Sequence, residues 1–127
     1  DLPSGAWQTL LYWDGSMKVV AGPGISDDAR NATYLLHEIT HVMDGPYCAR
    51  DPWSHERVYF YQMLASYQLG MPLEDVWAVY QQQSGFYYQA RSMPYGLTEP
   101  CRDQGAVETA PWGAFTYTQF RLLLPWW

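Results

Sequence analysis

Residues 31–45, NATYLLHEITHVMDG, constrain this chain more than any other stretch. Leu35, Leu36, Ile39, Val42 and Met43 recur at three- and four-residue steps, the periodicity of a helix. Side chains at i and i+4 share a helix face, so His37 and His41 can aim two imidazoles at one point. Zinc accepts neutral imidazole nitrogens at about 2.0–2.1 Å and in a hydrolytic site keeps one position for water. Glu38, one residue round from the first His, can take a proton from that water. The motif lies on an apolar helix with start and stop signals, the setting in which H-E-x-x-H has this meaning.

The rest of the composition narrows the field. A chain of 127 residues can form one domain that buries about two-thirds of its unfolded surface, so metal is not needed merely to fold it. With 17% aromatic and only 16% charged residues, the sequence is that of a dense globular protein. A net charge of -6 argues against nucleic acid, whose phosphates call for clustered Lys and Arg. No apolar run approaches the roughly 18 residues needed to span a bilayer. The chain begins at Asp1 with no initiator Met and no leader-like run, as expected of a processed mature protein or an excised domain. Cys48 and Cys101 both sit in turn-rich segments where exposed thiols would be a liability. They are expected to form one disulfide, closing a loop of about 54 residues and stabilising the fold by ~4 kcal/mol in the chain-entropy model. That bond points to a secreted or otherwise extracytoplasmic protein.

In chain order the expected fold class is α+β: a small, mainly helical domain with an N-terminal β-hairpin before the motif helix. The strands AWQTLLYW and SMKVVAG flank Asp14-Gly15, a favoured two-residue turn. Ser26, Asp27 and Asp28 offer a helix start, and the first helix should run over 27–44 to Gly45-Pro46. Ser54 is the expected cap of a second helix, HERVYFYQMLASYQL, closed by Gly70. Pro72 opens a third, LEDVWAVYQQQ, closed near Ser84-Gly85. Gly85 to Trp112 reads as irregular, and AFTYTQFRLLL as a last helix or strand on the core. No repeat or linker marks a second domain.

A catalytic zinc usually has three protein ligands, so the two His need a partner. Glu56, in the first turn of the second helix, is the leading candidate: it ends a stripe with Phe60, Met63 and Leu64, and a short connection folds that helix back on the first. His55, about 100° round the same helix, is a rival, and only one of the two should face the metal. Asp44 shares the helix face of His37 and His41. Three ligands in line along a straight helix converge poorly, so Asp44 suits an outer-shell role better.

LLHEITHVMD followed by a helix beginning SHERVYFYQ resembles the zincin metallopeptidases, and among them the gluzincin branch. The resemblance covers roughly residues 26–70, about a third of the chain. It implies zinc held by His37, His41 and Glu56, with Glu38 as the general base in peptide-bond hydrolysis by a zinc-activated water. Two departures stand out. Where many gluzincins carry an Asp four residues after the Glu ligand, this chain has Phe60, so the group orienting a His must come from elsewhere. Asp44 and Tyr47 also stand where the metzincin continuation wants Gly and His or Asp. The chain is short for a zincin, which suggests a minimal peptidase acting on peptide or protein, or a domain or partner of something larger. By the same resemblance MKVVAG could align substrate as an added strand. Tyr87, Tyr88 and Tyr95 are candidate donors to the oxyanion, and Arg91 a candidate anchor for a substrate carboxylate. Two other readings use the same residues: a zincin-like binding module without turnover, and a zinc amidase acting on cell-wall peptide. The intact Glu38 weighs against the first.

Overall fold

A computed structural model describes residues 2–4, 6–12, 14, 16–23, 29–93, 101 and 115–126. The fold is mainly helical with an N-terminal two-stranded antiparallel sheet, the α+β class expected. β1 (Trp7–Leu11) pairs with β2 (Met17–Ala21), placing Trp7 opposite Ala21 and Leu11 opposite Met17. The connection is longer than a two-residue turn. Tyr12 N–H donates to Ser16 O at 2.9 Å, and Asp14 Oδ1 accepts from both the backbone and the hydroxyl of Ser16. A short Asp side chain that bonds two residues on is a turn device in its own right, and it sets the geometry here.

The motif helix, α1 (Ala29–Cys48), is broken at Gly45, whose φ of 81° and ψ of 169° suit a residue without Cβ. Pro46 follows the break and opens the last turn to Cys48. The stop expected at Gly45-Pro46 is therefore a kink that turns Cys48 toward Cys101. These two form a disulfide with Cα atoms 5.5 Å apart. The expected start at Ser26, Asp27 and Asp28 lies outside the described residues.

α2 (Pro52–Gln68) starts earlier than expected. Its cap is Asp51, not Ser54: Asp51 Oδ1 accepts from Trp53 N–H at 2.9 Å, and Pro52 takes the first helical position. Ser54 is fully buried one turn inside. The helix closes at Gly70, with φ of 75°.

α3 (Leu73–Ser92) differs most, running straight through Gly85 for two further turns. Glycine in a helix costs ~1 kcal/mol against alanine, which packing easily outweighs. Here Phe86 stacks on His55 and Tyr59, and Arg91 reaches Glu56, so the extra turns lie against α2. α4 (Tyr117–Leu123) is a short helix with a capping box between Thr116 and Gln119, followed by a single tight turn at Leu124–Trp126. The other residues expected to be irregular, 94–100 and 102–112, lie outside the described set.

Met63 of α2, Val76 and Tyr80 of α3, Phe120 of α4 and Leu124 form the buried core. Trp77 stacks over Tyr80 and leans on Phe120 at its edge. α2 packs most extensively on α3, with α1 laid against the other side of α2 and the hairpin over α1. Among the described residues no helix is long and apolar enough to cross a membrane.

A Cβ added at Gly85 would meet nothing within 4 Å. Gly85→Ala should therefore stabilise the protein by about 0.5–1 kcal/mol in urea unfolding. A destabilised variant would mean that the helix does not continue through this position.

Candidate functional site

The site is built where α1 crosses α2. The side chains of α2 divide into two stripes at helical spacing. His55, Tyr59 and Gln62 face α1, whereas Glu56, Phe60 and Met63 face α3 and the core. On α1, His37 and His41 project toward the first stripe.

His37 Nδ1 lies 2.7 Å from Gln62 Oε1. An amide oxygen can only accept, so the ring carries its hydrogen on Nδ1 and leaves Nε2 as a bare lone pair. That lone pair is 3.2 Å from His41 Nε2. The ring of His37 also meets Tyr59 edge to face, at 4.6 Å between centroids. His55 lies against His41, with centroids 4.6 Å apart, and is backed by Phe86 in a near-parallel stack at 4.7 Å. Its Nδ1 is 3.2 Å from Asp51 O, a carbonyl that fixes its tautomer in the same sense.

Glu38 is buried between α1 and the hairpin. The Thr9 hydroxyl of β1 donates to Glu38 Oε2 in a very short hydrogen bond, and also lies 3.1 Å from the Glu38 backbone carbonyl. A cavity of about 280 Å³ is lined by Thr9, Met17, His37, Glu38, His41, Arg50 and His55. A second, of about 430 Å³, opens from the other side of His37 and Glu38 between Trp7, Tyr34, Tyr59 and Val79. His37 and Glu38 thus stand on the wall common to both.

The imidazoles are held neutral. Burial pushes the His41 pKa down to about 3, and the neighbouring His37 and His55 rings add to the effect. Burial also lowers His37, against the opposing pull of the Gln62 hydrogen bond and Glu38. His55 is lowered by burial as well, opposed by the Asp51 backbone. Burial and the nearby Glu38 raise the Tyr59 phenol, which stays protonated as a donor.

The remaining expected residues fall elsewhere. Glu56 is fully buried, and its Oε2 accepts from Arg91 at 2.9 Å. Arg91 is in turn covered by aromatic faces, 3.5 Å over Tyr87 and 4.5 Å over Trp53, so it is tied into the fold. Asp44 is ion-paired with Arg57 of α2. Tyr87 packs beneath Arg91 and Tyr88 is half-exposed beside it, and neither lines the two cavities. Tyr95 lies outside the described residues. The tyrosines that do face the cavity beside Glu38 are Tyr34 and Tyr59. Gln62, Thr9 and Tyr59 were not singled out in the sequence. The signal for Gln62 and Tyr59 was their spacing of seven and four residues from His55, which gives α2 a partly polar stripe.

The fit to zinc can be tested on the pair. Two nitrogens at 2.0–2.1 Å from one tetrahedral ion stand about 3.3 Å apart, close to the 3.2 Å between His37 and His41 Nε2. Neutral rings and a fixed Nδ1 hydrogen on His37 are also what such a ligand requires. Among the described residues no group of three or more His, Cys, Asp or Glu is placed to hold a metal ion, so the fit is that of the His37–His41 pair alone. No family model, curated protein or solved structure matches the chain.

The depressed histidines make stability depend on pH in a defined direction. In the unfolded chain His41 titrates near 6.5, in the fold near 3, so between these values the unfolded state binds more protons. Stability of the metal-free protein should be flat above about pH 6.5 and fall as acid is added below it. Urea unfolding of wild type and His41→Phe at pH 7, 5.5 and 4.5 checks this: the variant should show the shallower loss, and equal slopes would contradict the assignment.

Proposed function

We propose that this chain is a zinc-dependent hydrolase of peptide bonds, working outside the cytoplasm, in which His37 and His41 hold the metal and Glu38 is the general base. The observation that carries the reading is the juxtaposition of two neutral imidazole nitrogens 3.2 Å apart with a carboxylate on one cavity wall. Bound there, zinc supplies a Lewis acid and brings the pKa of a water toward neutrality.

The protein's own groups supply the rest. Glu38, aimed by the Thr9 hydroxyl, accepts a proton from water in the cavity and returns it to the leaving amine nitrogen. The Tyr59 phenol, kept protonated by burial, is a donor for charge developing on the substrate carbonyl oxygen. Gln62 holds the His37 ring, the orienting role that Phe60 cannot play. A peptide would lie along the hairpin, where Trp7, Gln8 and Thr9 of β1 and Met17 of β2 line the cavity. The Cys48–Cys101 disulfide suits an oxidising compartment.

Purified wild type and Glu38→Gln, assayed for zinc content and for cleavage of a mixed peptide library, test the reading. Both should bind zinc, and the variant should cleave roughly 10²–10⁴-fold more slowly. Wild type that binds zinc without cleaving, or cleavage indifferent to Glu38→Gln, would contradict it.

A further inference from the structure

We infer that the third zinc donor is Nε2 of His55, so that the site is made of three imidazoles and not of two imidazoles and Glu56. The inference rests on the zinc reading above and sharpens it.

Three observations converge on His55. Its ring lies against that of His41, with centroids 4.6 Å apart, closer than the 4.8 Å between His37 and His41. Its Nδ1 faces the Asp51 carbonyl at 3.2 Å, which places the ring hydrogen there and leaves Nε2 as a lone pair. It also lines the same cavity as His37, His41 and Glu38. His37 has the same arrangement, with its Nδ1 hydrogen given to Gln62. A backbone carbonyl or side-chain oxygen behind each ring is the usual support for a ligating imidazole.

Helical phase explains why Glu56 is not the donor. Successive residues on a helix point about 100° apart, and α2 turns His55 to α1 and Glu56 to α3. Glu56 is fully buried there against Arg91, whose guanidinium is itself covered by Tyr87 and Trp53. Swinging the carboxylate to the histidines would strand a partly buried guanidinium, a costly exchange. Turning the His55 ring moves a neutral group that the flat face of Phe86 backs. With three neutral ligands, Glu38 is the one carboxylate among the described residues on the wall of that cavity, and the charge of the ion is left for water and substrate.

The test uses Zn²⁺ alone on chelator-stripped protein. Titration calorimetry of wild type, His55→Ala and Glu56→Gln should show the His55 variant weakened by more than the roughly 10–100-fold that loss of an outer partner costs. Glu56→Gln should bind within a few-fold of wild type. Because either variant could fold poorly, ¹⁵N-labelled wild type is read alongside: one equivalent of Zn²⁺ should shift Nε2 of His37, His41 and His55. Zinc uptake that leaves the His55 nitrogens unmoved, or that is lost in a folded Glu56→Gln and kept in His55→Ala, overturns His55 as donor while the zinc reading stands. Wild type that takes up no Zn²⁺ overturns both.

Discussion

The crossing of α1 on α2 is the contact on which the rest of this structure depends. It brings His37 onto Gln62 and Tyr59, and His41 onto His55, in an interface made largely of polar rings. Such groups are expensive to bury unless each finds a partner. Here His37 and His55 give their Nδ1 hydrogens to an amide oxygen and a backbone carbonyl, and the Nε2 atoms of His37 and His41 meet each other. Two ion pairs reinforce the helix packing. Asp44 of α1 meets Arg57 of α2, and Glu56 of α2 meets Arg91 of α3. In both the carboxylate side chain is fully buried, so either arginine faces a charge that has been taken out of water.

The hairpin depends on the same crossing. Its Trp7 indole reaches Asn31 near the start of α1, and its Thr9 hydroxyl holds Glu38 one helical turn short of His41. β1 therefore roofs the motif and helps wall both cavities. The disulfide plays a more remote part. Cys48 follows the kink at Gly45, so the bond fixes the far end of α1, next to the turn that launches α2.

What could be read from the sequence was what local chemistry decides. The periodicity of residues 35–43 gave the motif helix and put His37 and His41 on one face. The hairpin, the α+β class and the cysteine pairing followed from similarly local signals. The misreadings arose where packing overrode a local rule. Gly85 looked like a helix end, yet contacts made by Phe86 and Arg91 carry α3 through it. Ser54 looked like a cap, but Asp51 followed by Pro52 is the stronger start. Glu56 is the instructive case. The stripe it forms with Phe60 and Met63 is real, and for that reason it faces α3, since a core-facing stripe cannot also face the histidines. The polar residues that meet α1, His55 and Gln62, are two turns apart in a half-aromatic stretch, and their seven-residue spacing is the one local sign that they share a face.

Metal-free protein labelled with ¹⁵N tests the site most directly, because Gln62 and the Asp51 carbonyl fix which ring nitrogen of His37 and of His55 carries the hydrogen before any metal is present. Long-range ¹H–¹⁵N correlation spectra near neutral pH should show both rings neutral and protonated on Nδ1, with Nε2 bare. Rings protonated on Nε2, or charged near neutral pH, would mean that α2 does not present His55 and Gln62 to the motif helix, and the site as described would not exist.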